Sequence, residues 1–112
     1  MSALSDNLEG WQQTARSAFA AALAAGHPAS LTRSAVATLA TPVTAIIAIG
    51  KAATAMAIAA RSAGTIDPDI PGIIVTNDEN FSVVEGMDCY ASAHPVPDDR
   101  GLVAAGAVTE MA

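Results

Sequence analysis

At 112 residues and 11.2 kDa the chain is long enough for one small domain, or part of a larger one, and too short for two complete domains. Although 52% of it is hydrophobic, 27 residues are alanine and only four are aromatic, so any core must be thinly lined and closely packed. Five Lys and Arg against eleven Asp and Glu give a net charge of −6, and with no basic cluster this argues against a nucleic-acid or anionic-lipid surface, both of which need grouped cations.

In chain order, Asp6 followed three residues later by Glu9 has the spacing of a capping box and predicts a helix start. Helix formers then run from Leu8 to Ala25, with Trp11, Ala15, Ala18, Phe19, Ala22 and Leu23 at helical spacing and read as core. Gly26-His27-Pro28 stops this helix, and His27 reads as a helix-end residue. A second, shorter helix is predicted from about Pro28 or Ser30 to Leu39, before Pro42 resets the chain.

The texture then changes. Val43 to Ile49 (VTAIIAI) is a short apolar run with β-branched residues, as in a strand buried on both faces. Gly50 follows, and Lys51 to Ala63 is an unbroken helical stretch with Met56 at a core spacing, closed by Gly64. After the turn-forming IDPDIPG, Gly72 to Thr76 (GIIVT) predicts a second strand and NDENFS a loop. Met87 to Ala93 predicts a third strand with Met87, Cys89, Ala91 and Ala93 on one face. His94 to Asp98 (HPVPD) is a stiff loop, and Arg100 to Ala112 a final helix for which Asp98 is the cap. The order is two helices over about 7–40, then β-α-β-β-α over about 43–112. This predicts an α/β fold, a Rossmann-like three-layer sandwich with a mainly parallel sheet that is incomplete at this length.

Two membrane readings fail. Met1 to Gly10 carries Asp6 and Glu9 without Lys or Arg, unlike the basic start of a secretory signal. Ser34 to Ala60 is apolar but contains Pro42 and a central Gly50-Lys51, and a mid-membrane lysine costs roughly 2.5–3.5 kcal/mol. The single cysteine, Cys89, builds neither an internal disulfide nor a Cys-based zinc site, and reads as a small buried hydrophobe of a cytoplasmic protein.

The most informative segment for chemistry is IGKAATAM, Ile49 to Met56. A strand ends, glycine turns the chain, and Lys51 falls in the first turn of the next helix. Free helix N–H groups and a lysine together attract a carboxylate or phosphate, and Ala52, Ala53 and Ala55 let a ligand approach the backbone. The bland alternative is an exposed lysine on a first helical turn. Neither a P-loop nor G-x-G-x-x-G is present. His94 is a hydrogen-bond donor or general base on one reading and a loop-bonded histidine on the other. Asp78 and Glu79 read as solvated loop charges, with a metal contact as the alternative for either. With parallel strands, Lys51, Asn77 and His94 all emerge at strand C-termini, where open α/β sheets bind ligands.

Taken in order, GKAA, VTN and HPVPD, with the upstream RSAFAAALAAGHPASL, make the chain resemble the N-terminal domain of the type II glycerate 2-kinases, some of which carry the label hydroxypyruvate reductase. The resemblance covers essentially all 112 residues. It implies ATP-dependent phosphorylation of the 2-hydroxyl of D-glycerate to 2-phosphoglycerate, with a divalent ion such as Mg²⁺. It implies Lys51 as the active-site lysine; the wider substrate- or phosphate-binding set, Gly50, Lys51, Ala52, Asn77 and His94, is read from the glycine turn and the strand ends, with no protein metal ligand assigned. His94 and Asp98 match the HPVPD loop without an assigned role. Family enzymes are several times longer and carry a C-terminal domain that helps close the cleft. The expectation is therefore an N-terminal piece, residues 1–112, with little or no catalysis alone. Two alternatives stand beside it: an NAD(P)H-dependent hydroxypyruvate reductase, for which the glycine fingerprint is missing, and a non-catalytic small-anion-binding or assembly module.

Overall fold

A computed structural model describes residues 2–112. Its elements are α1 (Ser2–Ala25), α2 (Pro28–Val36), β1 (Ile46–Ile49), α3 (Ala53–Arg61), β2 (Gly72–Asn77), a single 3₁₀ turn (Asp78–Asn80), β3 (Asp88–Ser92) and α4 (Asp99–Met111). The three strands form one sheet in the order β1-β2-β3, and both pairings are parallel. Two N-terminal helices followed by β-α-β-β-α is the predicted α/β order.

Three layers account for the burial. On one face of the sheet α3 packs its alanines, Ala53, Ala57 and Ala60, against Ile46 and Ile74. Small side chains let the helix backbone come close, which is how an alanine-rich chain builds a dense interface. On the other face α4 places Ala104 against Ile73 and Val75, with Tyr90, Ala107, Val108 and Met111 around them. The central strand β2 is therefore covered on both sides and every one of its six residues is buried. A continuous apolar run is the pattern that such a strand requires.

The edge strand β1 departs from the prediction. It is shorter, beginning at Ile46 rather than Val43, and only Ile46 is buried. Ile47 and Ile49 point to the α4 side, where α4 covers β2 and β3 but not β1, and Ile49 is 67% exposed. Burial on both faces thus holds for β2 and fails for β1.

A ten-residue connection, 78–87, carries the chain from the end of β2 back to the start of β3. It has no α-helix and runs over the α3 face, where Val84 and Met87 join the core. The Arg61 guanidinium at the end of α3 donates to the Glu85 carbonyl at 2.7 Å and fastens this crossover. Gly72 sits under it: a Cβ there would meet Met87 side-chain atoms at 3.0–3.2 Å.

Three further predictions are corrected. The first helix begins at Ser2, so Asp6 lies inside it and does not cap it; an interior acid at capping spacing mimics a start signal. The second helix ends at Val36, not Leu39. Trp11 and Phe19 are 74% and 67% exposed, and Met56 is 42% exposed; none is core. Helical spacing identifies a face that suits burial, but it does not say whether anything covers that face. Among the described residues no helix is long and apolar enough to cross a membrane.

Candidate functional site

Parallel strands bring their C-terminal ends to one edge, and the loops that leave that edge enclose a concavity of about 200 Å³. Its lining comes from three segments: Ile49, Gly50 and Lys51 after β1; Val75, Thr76 and Asn77 at the end of β2; and Ser92, Ala93 and His94 after β3. Gly50, Lys51, Asn77 and His94, singled out as separate positions in the sequence, thus share one pocket. Ala52 is not part of the lining.

The β1 end shows why a glycine stands there. Gly50 still donates to the Val75 carbonyl at 2.9 Å, continuing the ladder, and then turns with φ of +122°, a conformation that side chains with a Cβ rarely adopt. Lys51 is one residue ahead of the helix cap rather than in the first turn of α3, since Ala52 is the N-cap and α3 starts at Ala53. The correction matters chemically. A lysine just ahead of the cap lies outside the helix itself, next to the N-terminus that also attracts an anion. Lys51 is exposed and is the only Lys or Arg in the pocket lining.

At the β2 end Thr76 and Asn77 are both buried although polar. Asn77 Oδ1 accepts from Asn80 Nδ2 at 2.6 Å and from the Thr76 hydroxyl at 3.4 Å. Those bonds fix the carboxamide plane and leave the Asn77 Nδ2 group as a donor at the pocket wall. Parallel pairing sets Asn77 opposite Ser92 on β3. Ser92 was not singled out in the sequence; its signal is positional, the last residue of a strand in a parallel sheet. His94 follows as an exposed residue, joined to Pro95 by a cis peptide bond.

Arg100 is the other residue that the sequence reading missed. Its guanidinium grips Asp78 with two hydrogen bonds, 2.6 and 2.8 Å, and its Nε donates to Asp98 at 3.0 Å. Asp98 in turn caps α4 by accepting from the Arg100 backbone amide at 3.1 Å, the predicted role. The clamp ties the segment after Asn77 to the segment after His94, so it braces two of the three sides of the pocket. Asp78 is therefore a solvent-exposed charge, as expected, but a paired one. The two bonds from Arg100 hold its carboxyl below the usual carboxylate range, and they raise the guanidinium further above its already high value. No local spacing reveals such a pair, because its members are 22 positions apart.

In chemical terms the pocket offers one cation, an amide donor, two hydroxyls and an imidazole, with apolar walls from Ile49, Val75 and Ala93. That set suits a small oxyanion bearing a hydroxyl. The volume is below the roughly 300 Å³ at which pockets for drug-sized ligands begin, so it suits a small molecule rather than a whole nucleotide. A Mg²⁺ ion does not fit these residues. Such an ion takes carboxylate and phosphate oxygens, the lining contains no carboxylate, and no group of three or more His, Cys, Asp or Glu able to hold a metal ion occurs among the described residues.

Residues 14–112 match the family model described as Domain of unknown function (DUF4147). No curated protein and no solved structure matches the chain. With the match spanning all but the first thirteen residues, the chain belongs to the DUF4147 family.

Proposed function

We propose that this chain carries the substrate-holding side of a glycerate 2-kinase, with D-glycerate or its phosphorylated product seated at the C-terminal edge of the sheet. The observation that supports it is the meeting of Gly50-Lys51, Asn77 and His94 in one small concavity. The order of GKAA, VTN and HPVPD in the sequence, and membership of DUF4147, support the same reading.

The reaction sets the requirements. The 2-hydroxyl oxygen of glycerate attacks the γ-phosphorus of ATP, the bond to the β-phosphate oxygen breaks, and the hydroxyl proton is given up. ATP supplies the phosphoryl group. This chain's residues bind and orient the acceptor. The Lys51 ammonium neutralises the carboxylate or a phosphoryl oxygen, which is the largest single contribution that one side chain can make to such a transfer. The Asn77 Nδ2 group donates to a second oxygen, and its geometry is fixed in advance by Asn80. His94 accepts or relays the hydroxyl proton, a task for which imidazole is suited near neutral pH. Apolar walls lower the local dielectric and strengthen each of these contacts. No step is assigned to a metal ion, for which these residues provide no seat.

The test is ATP-dependent formation of 2-phosphoglycerate by the protein purified from its own source. Lys51→Ala is expected to lower kcat/KM by about 100- to 1,000-fold. Activity within about threefold of the unaltered protein would remove Lys51 from the proposal. Oxidation of NADH by hydroxypyruvate without ATP would replace it by the reductase. Binding of glycerate with no turnover would leave an anion-binding module.

A further inference from the structure

The 24-residue helix α1 is left out of the fold. None of its residues is buried. Yet it is not a polar helix. Leu4, Leu8, Trp11, Phe19 and Leu23 are 58–76% exposed. At 100° per residue they fall in a sector about 120° wide that also holds Ala15, Ala22 and, toward the Leu23 side, the polar Gln12 and Ser5. A stripe of that width is made to be covered. No α1 residue lines the anion pocket, so the use of this face is independent of the function proposed above.

The flanks of the stripe identify the occupant. Glu9 and Arg16 are seven residues apart, two helical turns, and so lie on the same flank. The opposite flank carries Asn7, Thr14 and Ala21, all uncharged. When two helices pair in parallel, unlike flanks meet. When they pair antiparallel about a two-fold axis, each flank meets its own copy. Only the second arrangement sets Glu9 of each helix against Arg16 of the other. Neither residue makes an ion pair within the chain among the described residues.

We propose that α1 pairs antiparallel with α1 of a second copy, about a two-fold axis midway between Glu9 and Arg16, so that the protein is a dimer held by this helix. In that register Leu4 lies about two residues, roughly 3 Å along the axis, from the second copy's Leu23, and Leu8 the same from its Phe19. The two Trp11 rings meet close to the axis. The five large side chains expose roughly 700 Å² per copy, so two faces together cover up to about 1,400 Å², within the range of specific interfaces. Aromatic anchors at the centre with charges at the rim is the usual anatomy of such a contact.

The experiment is sedimentation equilibrium of the 112-residue protein from about 1 to about 100 μM, read together with the emission of Trp11, its only tryptophan. The expected result is a mass of about twice 11.2 kDa at the upper concentrations, with Trp11 emission shifting to the blue as the dimer forms. Leu8→Glu is expected to leave a monomer whose thermal melt is unchanged, since α1 contributes nothing to the core. Glu9→Arg should weaken the dimer about tenfold, and the double variant Glu9→Arg/Arg16→Glu should restore it to within about threefold. A protein that stays monomeric at 100 μM with water-like Trp11 emission overturns the proposal. So does a dimer that survives Leu8→Glu. A dimer whose affinity the charge variants do not move overturns the antiparallel arrangement.

Discussion

Helix α1 and strand β2 both carry large apolar side chains, and these end in opposite environments. All six residues of β2 are buried, whereas not one of the 24 in α1 is. The difference lies in what each element needs from its neighbours. A strand in the middle of a sheet receives backbone partners on two sides and helices on two faces, so its burial follows from position alone. A helix satisfies its own backbone and needs only a surface for one stripe, and within this chain α1 finds none. Burial is thus set by topology for β2 and by a partner for α1. The candidate site belongs to the first region, at the end of the strand that is most firmly held.

The sharpest way to break that contrast is a pair of truncations. Ile74→Ala in β2, where Ile74 is 1% exposed, is expected to cost 2–5 kcal/mol in urea denaturation at about 25 °C. Leu23→Ala in α1, measured on dilute protein, is expected to change stability by less than about 0.5 kcal/mol. Comparable losses would mean that α1 is packed in solution against its own chain. Next in size is Gly50→Ala. With φ of +122° at that turn, about 1–3 kcal/mol of strain is expected, together with weaker phosphate binding because Lys51 is displaced.

A smaller effect in the other direction is predicted where α2 meets α3. The hydroxyl oxygens of Thr32 and Thr54 are buried without a hydrogen-bond partner. Thr54→Val keeps the shape and removes an unsatisfied group, so a gain of about 1 kcal/mol is expected. A loss would show that the hydroxyl is bonded in solution.

The smallest effect is the pH dependence of the clamp. Arg100 holds the Asp78 carboxyl below the usual carboxylate range. A carboxylate whose folded pKa lies below its unfolded value, near 3.9, contributes stability that is fully present above the unfolded value and is lost as pH falls through the folded one. Both groups are solvent-exposed, so the contribution is modest and screened by salt. Melts between about pH 5 and pH 2 should lose less stability in Asp78→Asn than in the unaltered protein. Identical acid slopes would remove the clamp from the account.

Much of the fold was legible in the sequence because punctuation and texture agreed. Gly26-His27-Pro28 separated two helices, Gly50 and Gly64 bracketed α3, and GIIVT stood out as a buried strand. The joint position of Gly50, Lys51, Asn77 and His94 followed from the parallel order alone. What could not be read were features that depend on distant neighbours. Ile49 is exposed because α4 lies over the other two strands. Arg100 braces the pocket through Asp78, a partner that no local pattern announces. Trp11 and Phe19 showed a helical stripe but not what, if anything, covers it. Lys51 was placed two positions too far into α3 because a run of alanines gives no cap signal, and the cap proved to be Ala52 itself.

The central claim is that the C-terminal edge of this sheet holds a small oxyanion through Lys51. The most direct measurement is titration of the isotopically labelled chain with D-glycerate, and separately with inorganic phosphate, following its backbone amides by NMR. The account predicts saturable shifts confined to Gly50, Lys51, Asn77 and Ser92 to His94, abolished by Lys51→Ala while the rest of the spectrum stays unchanged. Shifts scattered over the surface, or saturable binding that persists in Lys51→Ala, would contradict it.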